Sequence, residues 1–294
     1  MTESKRHILF IINPISGVGK KNVIPPLIER YIDSAKFNWE IRYTEYRNHG
    51  FEIANIEKVN FDAIIAVGGD GSVNEIGRAL IHTNCALGII PSGSGNGIAR
   101  HLDIPLNFSA AIRQINGFEP MRIDTGLVNK KVFIGICGFG LDAHIASKFE
   151  AHAKRGFLTY AKLVLKEFSS FKPQQFQIKI EDTIQKNHGI LCTIANSSQF
   201  GNGFTISPKS DLQDGKFEIV FIEQFKVLKG FDLAYKFFTK SIHKSTKFKS
   251  LSFTDSIELN IENTEIIDYH IDGESNHSKG PFTIEIQPLS LSIL

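Results

Sequence analysis

The sequence predicts an α/β domain followed by a largely antiparallel, strand-rich domain. Short runs of branched apolar residues at 8–12, 64–67 and 87–90 read as buried parallel strands. Each run ends in a turn rich in glycine or proline, and a helical apolar pattern follows the first two. After about Asp124 the pattern changes. Strand-like runs then follow at 131–138, 176–180, 189–195, 216–222, 256–261 and 282–286, with helices inserted at 143–152, 157–171 and 225–242.

With 294 residues the chain has room for two cores. A hydrophobic share of 42%, a charged share of 22% and a net charge of +2 describe a globular protein rather than a nucleic-acid binder. The 24 phenylalanines against one tryptophan point to deep apolar cores or a greasy cleft. Cys85, Cys137 and Cys192 are odd in number, far apart and in apolar contexts, which predicts buried reduced thiols in a cytoplasmic protein and no zinc site. The five apolar residues at 8–12 are too few for a signal-peptide core, and no run nears the roughly 20 needed to span a bilayer. A membrane would be met only at its surface.

Taken in order, strand 8–12 ends in Asn13-Pro14-Ile15-Ser16-Gly17-Val18-Gly19-Lys20, and Val23, Leu27, Ile28 and Tyr31 mark the helix beyond. This is not a Walker A loop, because Pro14 stands where a Gly is needed and Lys21 where a hydroxyl is needed. Asn13 and Ser16 can still line a nucleotide site. A strand at 39–44 and a helix at 50–59 lead to the central stretch. There, strand 64–67 runs into Gly68-Gly69-Asp70-Gly71-Ser72. Ser72 and Glu75 have the spacing of a capping box, and Val73, Ile76 and Leu80 continue at helical spacing. An Asp-Gly pair can also mark a hairpin, but a hairpin needs a second strand and a helix follows instead. Strand, glycine turn and helix start together make a phosphate site, with Asp70 placed to hold a divalent metal against a triphosphate. Strand 87–90 ends in a second such turn, Pro91-Ser92-Gly93-Ser94-Gly95-Asn96-Gly97. The carboxyl ends of neighbouring parallel strands share one rim, so the two turns are expected side by side.

Further on, Asp211-Leu212-Gln213-Asp214-Gly215-Lys216 can offer a carboxylate and carbonyls to a hard cation, or be a type I turn. His270, Asp272 and Glu274 alternate, so on a strand they share one face and a carboxylate there can accept a proton; a solvated face gives the same pattern. In 225–242, Leu228, Phe231, Tyr235, Phe238 and Ile242 form an apolar side opposite Lys226, Lys229, Lys236 and Lys240. Such a helix packs on its own domain or lies on an anionic membrane.

Asn13-Pro14-x-Ser16-Gly17, Gly68-Gly69-Asp70-Gly71-Ser72-x-Asn74-Glu75, Pro91-x-Gly93-Ser94-Gly95-Asn96 and Asp272-Gly273-Glu274 occur in this order. With them the chain resembles the diacylglycerol kinase catalytic-domain family of bacterial lipid kinases and sphingosine and ceramide kinases. The Gly-Gly-Asp-Gly element alone also resembles NAD kinase and phosphofructokinase. The resemblance implies an NAD kinase/phosphofructokinase-like α/β domain over 1–124, to which 288–294 returns. It also implies a β-sandwich lipid-substrate domain over 125–287, with ATP and Mg²⁺ in the cleft between the two.

For the ATP site it implies Asn13, Pro14, Ser16, Gly17, Thr44, Gly68, Gly69, Asp70, Gly71, Ser72, Asn74, Glu75, Gly93, Ser94 and Asn96. Glu274 becomes the proton acceptor with Asp272 nearby, although the sphingosine kinase branch attributes the base to the position of Asp70. Asp211, Asp214 and Lys216 resemble a separate structural Mg²⁺ loop, the outer two giving carbonyls, and Asp124 matches an acidic position near the cleft.

Ser72 replaces the usual bacterial Thr and keeps the hydroxyl, while Ser94-Gly95-Asn96-Gly97 looks more like the sphingosine kinase form. The expected function is an ATP-dependent lipid kinase, cytoplasmic and working at a membrane surface, with a homodimer left open. Its rivals are an NAD kinase-type enzyme and a silent nucleotide- or lipid-binding protein.

Overall fold

The computed structural model describes residues 4–16, 21–150, 157–168, 170–225, 230–262 and 264–294. It divides into two units, one running to Ile123 and taking back Leu289–Leu294, the other Asp124–Pro288.

In the first unit the elements are β1 (Arg6–Ile12), α1 (Ile24–Tyr31), β2 (Phe37–Tyr43), α2 (His49–Glu57), β3 (Ala63–Gly68), α3 (Asp70–Leu80), β4 (Ala86–Pro91), α4 (Gly97–His101) and α5 (Phe108–Ile115). The strands pair in the order β2-β1-β3-β4, all parallel. β3 and β4 are buried along their whole length, which explains their unbroken apolar sequence. Because β2 lies on one side of β1 and β3 on the other, the chain reverses its winding at β1. In open α/β sheets ligands bind at the strands' carboxyl ends beside such a point.

The second unit contains β5 (Met121–Val128, begun in the first), β6 (Lys131–Phe133), β7 (Ile136–Gly140), α6 (Leu141–Glu150), α7 (Phe157–Phe168), β8 (Gln174–Ile180), β9 (Thr183–Gly189) and β10 (Leu191–Ala195). It continues with β11 (Gln199–Gly201), β12 (Phe204–Thr205), β13 (Phe217–Ile222), α8 (Gly230–Phe238), β14 (Phe248–Phe253), β15 (Ser256–Ile261), β16 (Ile267–Ile271), β17 (Glu274–Ser278) and β18 (Phe282–Ile293). One antiparallel sheet runs β14-β13-β10-β7-β16-β17, and the other pairs β18, β15, β8 and β9 in that order. Phe139, Phe217 and Phe221 of the first sheet meet Phe176, Ile257 and Phe282 of the second in one apolar core, a β-sandwich. On β13, Phe217, Ile219 and Phe221 enter that core, while Val220 and Ile222 face a second cluster with Leu141, Ile145 and Leu163. Period-two alternation thus serves two apolar layers at once, which is where many of the phenylalanines go.

Three sequence expectations change. The strand expected over 131–138 is two strands, because the amides of Ile134, Gly135 and Ile136 turn aside to the Asp272 carboxylate. The capping box is absent: Gly69 is the N-cap of α3 and no side chain caps it. Glycines at 69 and 71 let the backbone enter the helix before Ser72, leaving Ser72 and Glu75 inside it with other partners. The helix expected over 225–242 is described only as α8, and Ile242 sits in a separate 3-10 turn, Ile242–Lys244, after Lys240 at φ +55°. Lys226, Leu228, Lys229 and the Phe231 side chain lie outside the described residues, as does Gly17.

Candidate active site

Each loop at the carboxyl end of the parallel sheet is held by its own short-range chemistry. Asn13, at the end of β1, accepts the amides of Ile15 (3.0 Å) and Ser16 (3.3 Å) on Oδ1. Its Nδ2 donates to Ser72 Oγ at 3.2 Å. The Ser16 and Ser92 hydroxyls lie 3.2 Å apart, and Ser92 donates its amide to the Gly68 carbonyl at 2.8 Å. Pro14 is exposed and Thr44 nearly buried, its amide donating to the Ile12 carbonyl at 3.0 Å.

Glu75 does not cap its own helix. It reaches to the α2 loop and accepts the amides of Asn48 (2.7 Å) and Gly50 (3.2 Å).

The two glycine turns touch. A Cβ on Gly93 would stand 2.5 Å from the Gly69 Cα, so no side chain fits there. Asp70, in the first turn of α3, accepts the amides of Asn96 (2.8 Å) and Gly97 (2.6 Å), one on each oxygen. Asn96 is buried, takes φ +52°, and bonds Gly93 through both ends of its amide. Ser94 stays exposed at the tip. The start of α3 therefore presents helix-end amides beside a second loop that approaches at backbone distance. Gly68, Gly69, Ser72, Gly93 and Asn96 are thus gathered at one rim, while Gly71 and Asn74 lie in the opening turns of α3.

In the second unit, the loop 211–216 is folded by its acids. Asp211 accepts the Gln213 amide at 3.0 Å and Asp214 the Lys216 amide at 2.9 Å. Asp124 is fully buried; it accepts the Gly215 amide at 2.8 Å and gives its own to the Leu212 carbonyl at 2.7 Å.

His270, Asp272 and Glu274 do not share a strand face. The chain reverses at Asp272 (φ +48°) and Gly273 (φ +87°), and Glu274 opens β17 opposite Ile271. Two positive-φ residues, Asp-Gly, make the two-residue hairpin that right-twisted strands prefer. Alternating sequence is the same on both arms of a hairpin, so the pattern could not reveal the turn. The Asp272 carboxylate accepts the amides of Ile134, Gly135 and Ile136 at 2.8–2.9 Å, fixing the turn to the loop before β7.

Behind this turn lies a buried polar row that sequence reasoning missed. Thr193, Gly138 and His270 sit side by side across β10, β7 and β16. Asp142 of α6 lays its carboxylate over Gly138, where a Cβ would stand 2.2 Å from both Asp142 Oδ2 and His270 Nε2. Asp142 Oδ2 accepts from Thr193 Oγ1 at 3.1 Å and lies 3.2 Å from His270 Nε2. His270 Nδ1 accepts the Gly273 amide at 3.3 Å, so Nε2 carries the ring proton toward Asp142. Asp142 and His270 are 128 positions apart, and no local signal pairs them. Burial pushes the Cys85 thiol up to about 12 and raises Cys137 and Cys192 as well, so none is a nucleophile at neutral pH.

Two family models match the chain: the diacylglycerol kinase catalytic domain over residues 7–128, and the YegS C-terminal NAD kinase beta sandwich-like domain over residues 135–294. The chain belongs to the diacylglycerol kinase catalytic-domain family. It is a kinase, a phosphotransferase. The kinase is 28% identical over 220 residues to a Chromohalobacter salexigens protein named "Probable lipid kinase YegS-like", an overlap covering 72% of this chain and 71% of the relative. It is 24% identical over 276 residues to the diacylglycerol kinase of Staphylococcus saprophyticus, across 92% of this chain and 89% of that one. A crystal structure of a diacylglycerol kinase from Bacillus anthracis superposes with a TM-score of 0.73 at 20% identity, covering 100% of this chain and 97% of the other, which shows the shared fold.

Proposed function

We propose that this kinase transfers the γ-phosphoryl group of ATP to the hydroxyl of a diacylglycerol- or sphingosine-like lipid. The observation that carries the reading is Asp70 joined to the Asn96 and Gly97 amides while Gly69 and Gly93 meet at backbone distance. That arrangement suits a triphosphate, which needs amide donors and close backbone approach more than it needs side chains.

Among the described residues no three His, Cys, Asp or Glu side chains form a cage for a metal ion. Mg²⁺ seldom uses such a cage, being held by one or two carboxylates plus substrate phosphates, and Asp70 fits that mode. Bound there with the nucleotide, it would neutralise phosphate charge. Asp211, Asp214, the carbonyl of Lys216 and buried Asp124 offer hard oxygen donors that suit a second, structural Mg²⁺.

In this reading the α3 amides and the two glycine turns hold the phosphates, and Glu274 accepts the proton of the attacking hydroxyl. Asp70, which accepts the Asn96 and Gly97 amides and would face the Mg²⁺ and phosphates, is given to the nucleotide, which leaves Glu274 as the preferred base. Asp272 holds the turn on which Glu274 stands.

The experiment offers ATP with a total lipid extract and, separately, with NAD, and identifies the product by mass. Wild type is expected to phosphorylate a hydroxyl lipid. Glu274→Gln should lower kcat by roughly 10²–10⁴ with the KM for ATP little changed, while Asp70→Asn should impair both parameters. Transfer to NAD alone, or wild-type turnover in both variants, would defeat the proposal.

A further inference from the structure

Part of the apolar side of α8 faces outward. Tyr235 is 67% exposed and Phe238 50%, and residues three apart adjoin on a helix surface. Phe237 turns inward instead, packing with the cluster that includes Ile206, Ile222 and Ile242. Phe238 keeps one edge on Phe204, ring centres 4.3 Å apart. Scattered exposed apolar residues are ordinary, but two adjoining aromatics on one helix are a patch.

The charge around them is one-sided. Residues 235–254 contain Lys236, Lys240, Lys244, Lys247 and Lys249, and no Asp or Glu, in a chain whose net charge is only +2. Lys236 bonds Asp232, and Lys247 and Lys249 share Glu223. Lys240 and Lys244 are exposed and make no ion pair among the described residues. Aromatic rings with a polar or half-wet edge, interleaved with long-stemmed lysines, suit the boundary between lipid head groups and acyl chains. Among the described residues no helix is long and apolar enough to cross a membrane.

We infer that α8 and the lysine-rich segment leading into β14 dock on the surface of an anionic bilayer. Tyr235 and Phe238 enter the head-group layer, and Lys240 and Lys244 meet lipid phosphates. The role of this contact rests on the lipid-kinase reading; the contact itself does not need it.

The test is co-sedimentation of the full chain with phosphatidylcholine vesicles, with and without roughly one third phosphatidylglycerol, at low and high salt. Wild type should bind the anionic vesicles at least tenfold more tightly and lose that margin at high salt. Each lysine near an anionic surface is worth about fivefold in affinity, so Lys240→Gln with Lys244→Gln should weaken binding about 25-fold. Tyr235→Ser with Phe238→Ser should weaken it about tenfold and leave a remainder that salt abolishes. If the serine pair does not fold, the glutamine pair decides the matter.

Equal binding to both vesicle types, or variants that bind like wild type, would overturn the inference. So would binding to heparin or duplex DNA with none to vesicles, which would assign the patch to another polyanion. Phosphorylation of a dispersed short-chain diacylglycerol should be unchanged in these variants. Vesicle binding by a protein that phosphorylates no lipid would sink the lipid-kinase reading and leave the docking surface standing.

Discussion

Asp70, Asp272 and Asp142 each hold backbone amides. Asp70 takes two amides, Asp272 three, and Asp142 takes the Ala143 amide while meeting Thr193 and His270. Such bonds to a charged acceptor are worth about 1.5–3 kcal/mol each, because removing the acceptor strands desolvated N–H groups. The sequence marked Asp70 and Asp272 through their glycine neighbours, but it carried no sign of Asp142, whose partners come from distant strands. Under the proposed role of Glu274, His270 is a positioning residue: it links Asp142 through its ring to the Gly273 amide, one residue before Glu274. An Asn there can place an acceptor near the Nδ1 position, whereas a Gln reaches only the Nε2 position. If Glu274 is held through Gly273, His270→Gln should lower kcat about tenfold with the KM for ATP unchanged, and His270→Asn should restore most of it. Steady-state kinetics of the two variants check this; equal kcat in both would reduce His270 to core packing.

At the scale of the element, legibility followed burial symmetry. β3 and β4 are covered on both faces, so their sequence is an apolar run that announces a parallel strand. The hairpin at 272–273 has one alternation running through both arms, which hides the reversal. α3 was located, but its start was misplaced, because Ser72 and Glu75 have the spacing of a cap and are used for contacts to Asn13 and the α2 loop. Helix pairing between α6 and α7 was also invisible to local pattern. There Glu167, buried on α7, bonds Lys148 at 2.7 Å and His144 at 2.9 Å, both from α6. Hydrogen bonds from Lys148 and His144 draw its carboxyl down to about 2. A carboxylate with a depressed folded-state pKa adds stability that is present above the ordinary value of 4.5 and fades as pH falls toward 2. Glu167→Gln should therefore be less stable than wild type at pH 6, and the difference should shrink between pH 4.5 and pH 2. Urea midpoints of both proteins across that range measure it, and a gap that stays constant would show the ion pairs contribute nothing.

For the whole molecule, the decisive feature is the path of the last strand. β18 begins beside β15 in the sandwich, and its end lies parallel to β4, with Ile293 opposite Leu87. His82 donates its amide to Ser290 and Leu294 to Leu87, while Leu291 and Ile293 are fully buried. Six terminal residues thus help complete a core whose other members come from before residue 124. The return of 288–294 to the first domain was implied by the family resemblance; no local pattern shows which strand it joins, because Leu87 lies some 200 residues away from Ile293. Leu291→Ala removes a fully buried side chain and should cost the first unit about 2–5 kcal/mol. The sandwich core, drawn from residues 128–286, contains none of these contacts. Thermal unfolding should therefore separate in Leu291→Ala into an early transition from the first unit and a later one near the wild-type midpoint. Nucleotide protection should be lost with the early transition, although Asp70 and Glu274 are both untouched. If the variant instead melts in one transition lowered throughout, the two units do not unfold independently, and the final strand couples their stabilities.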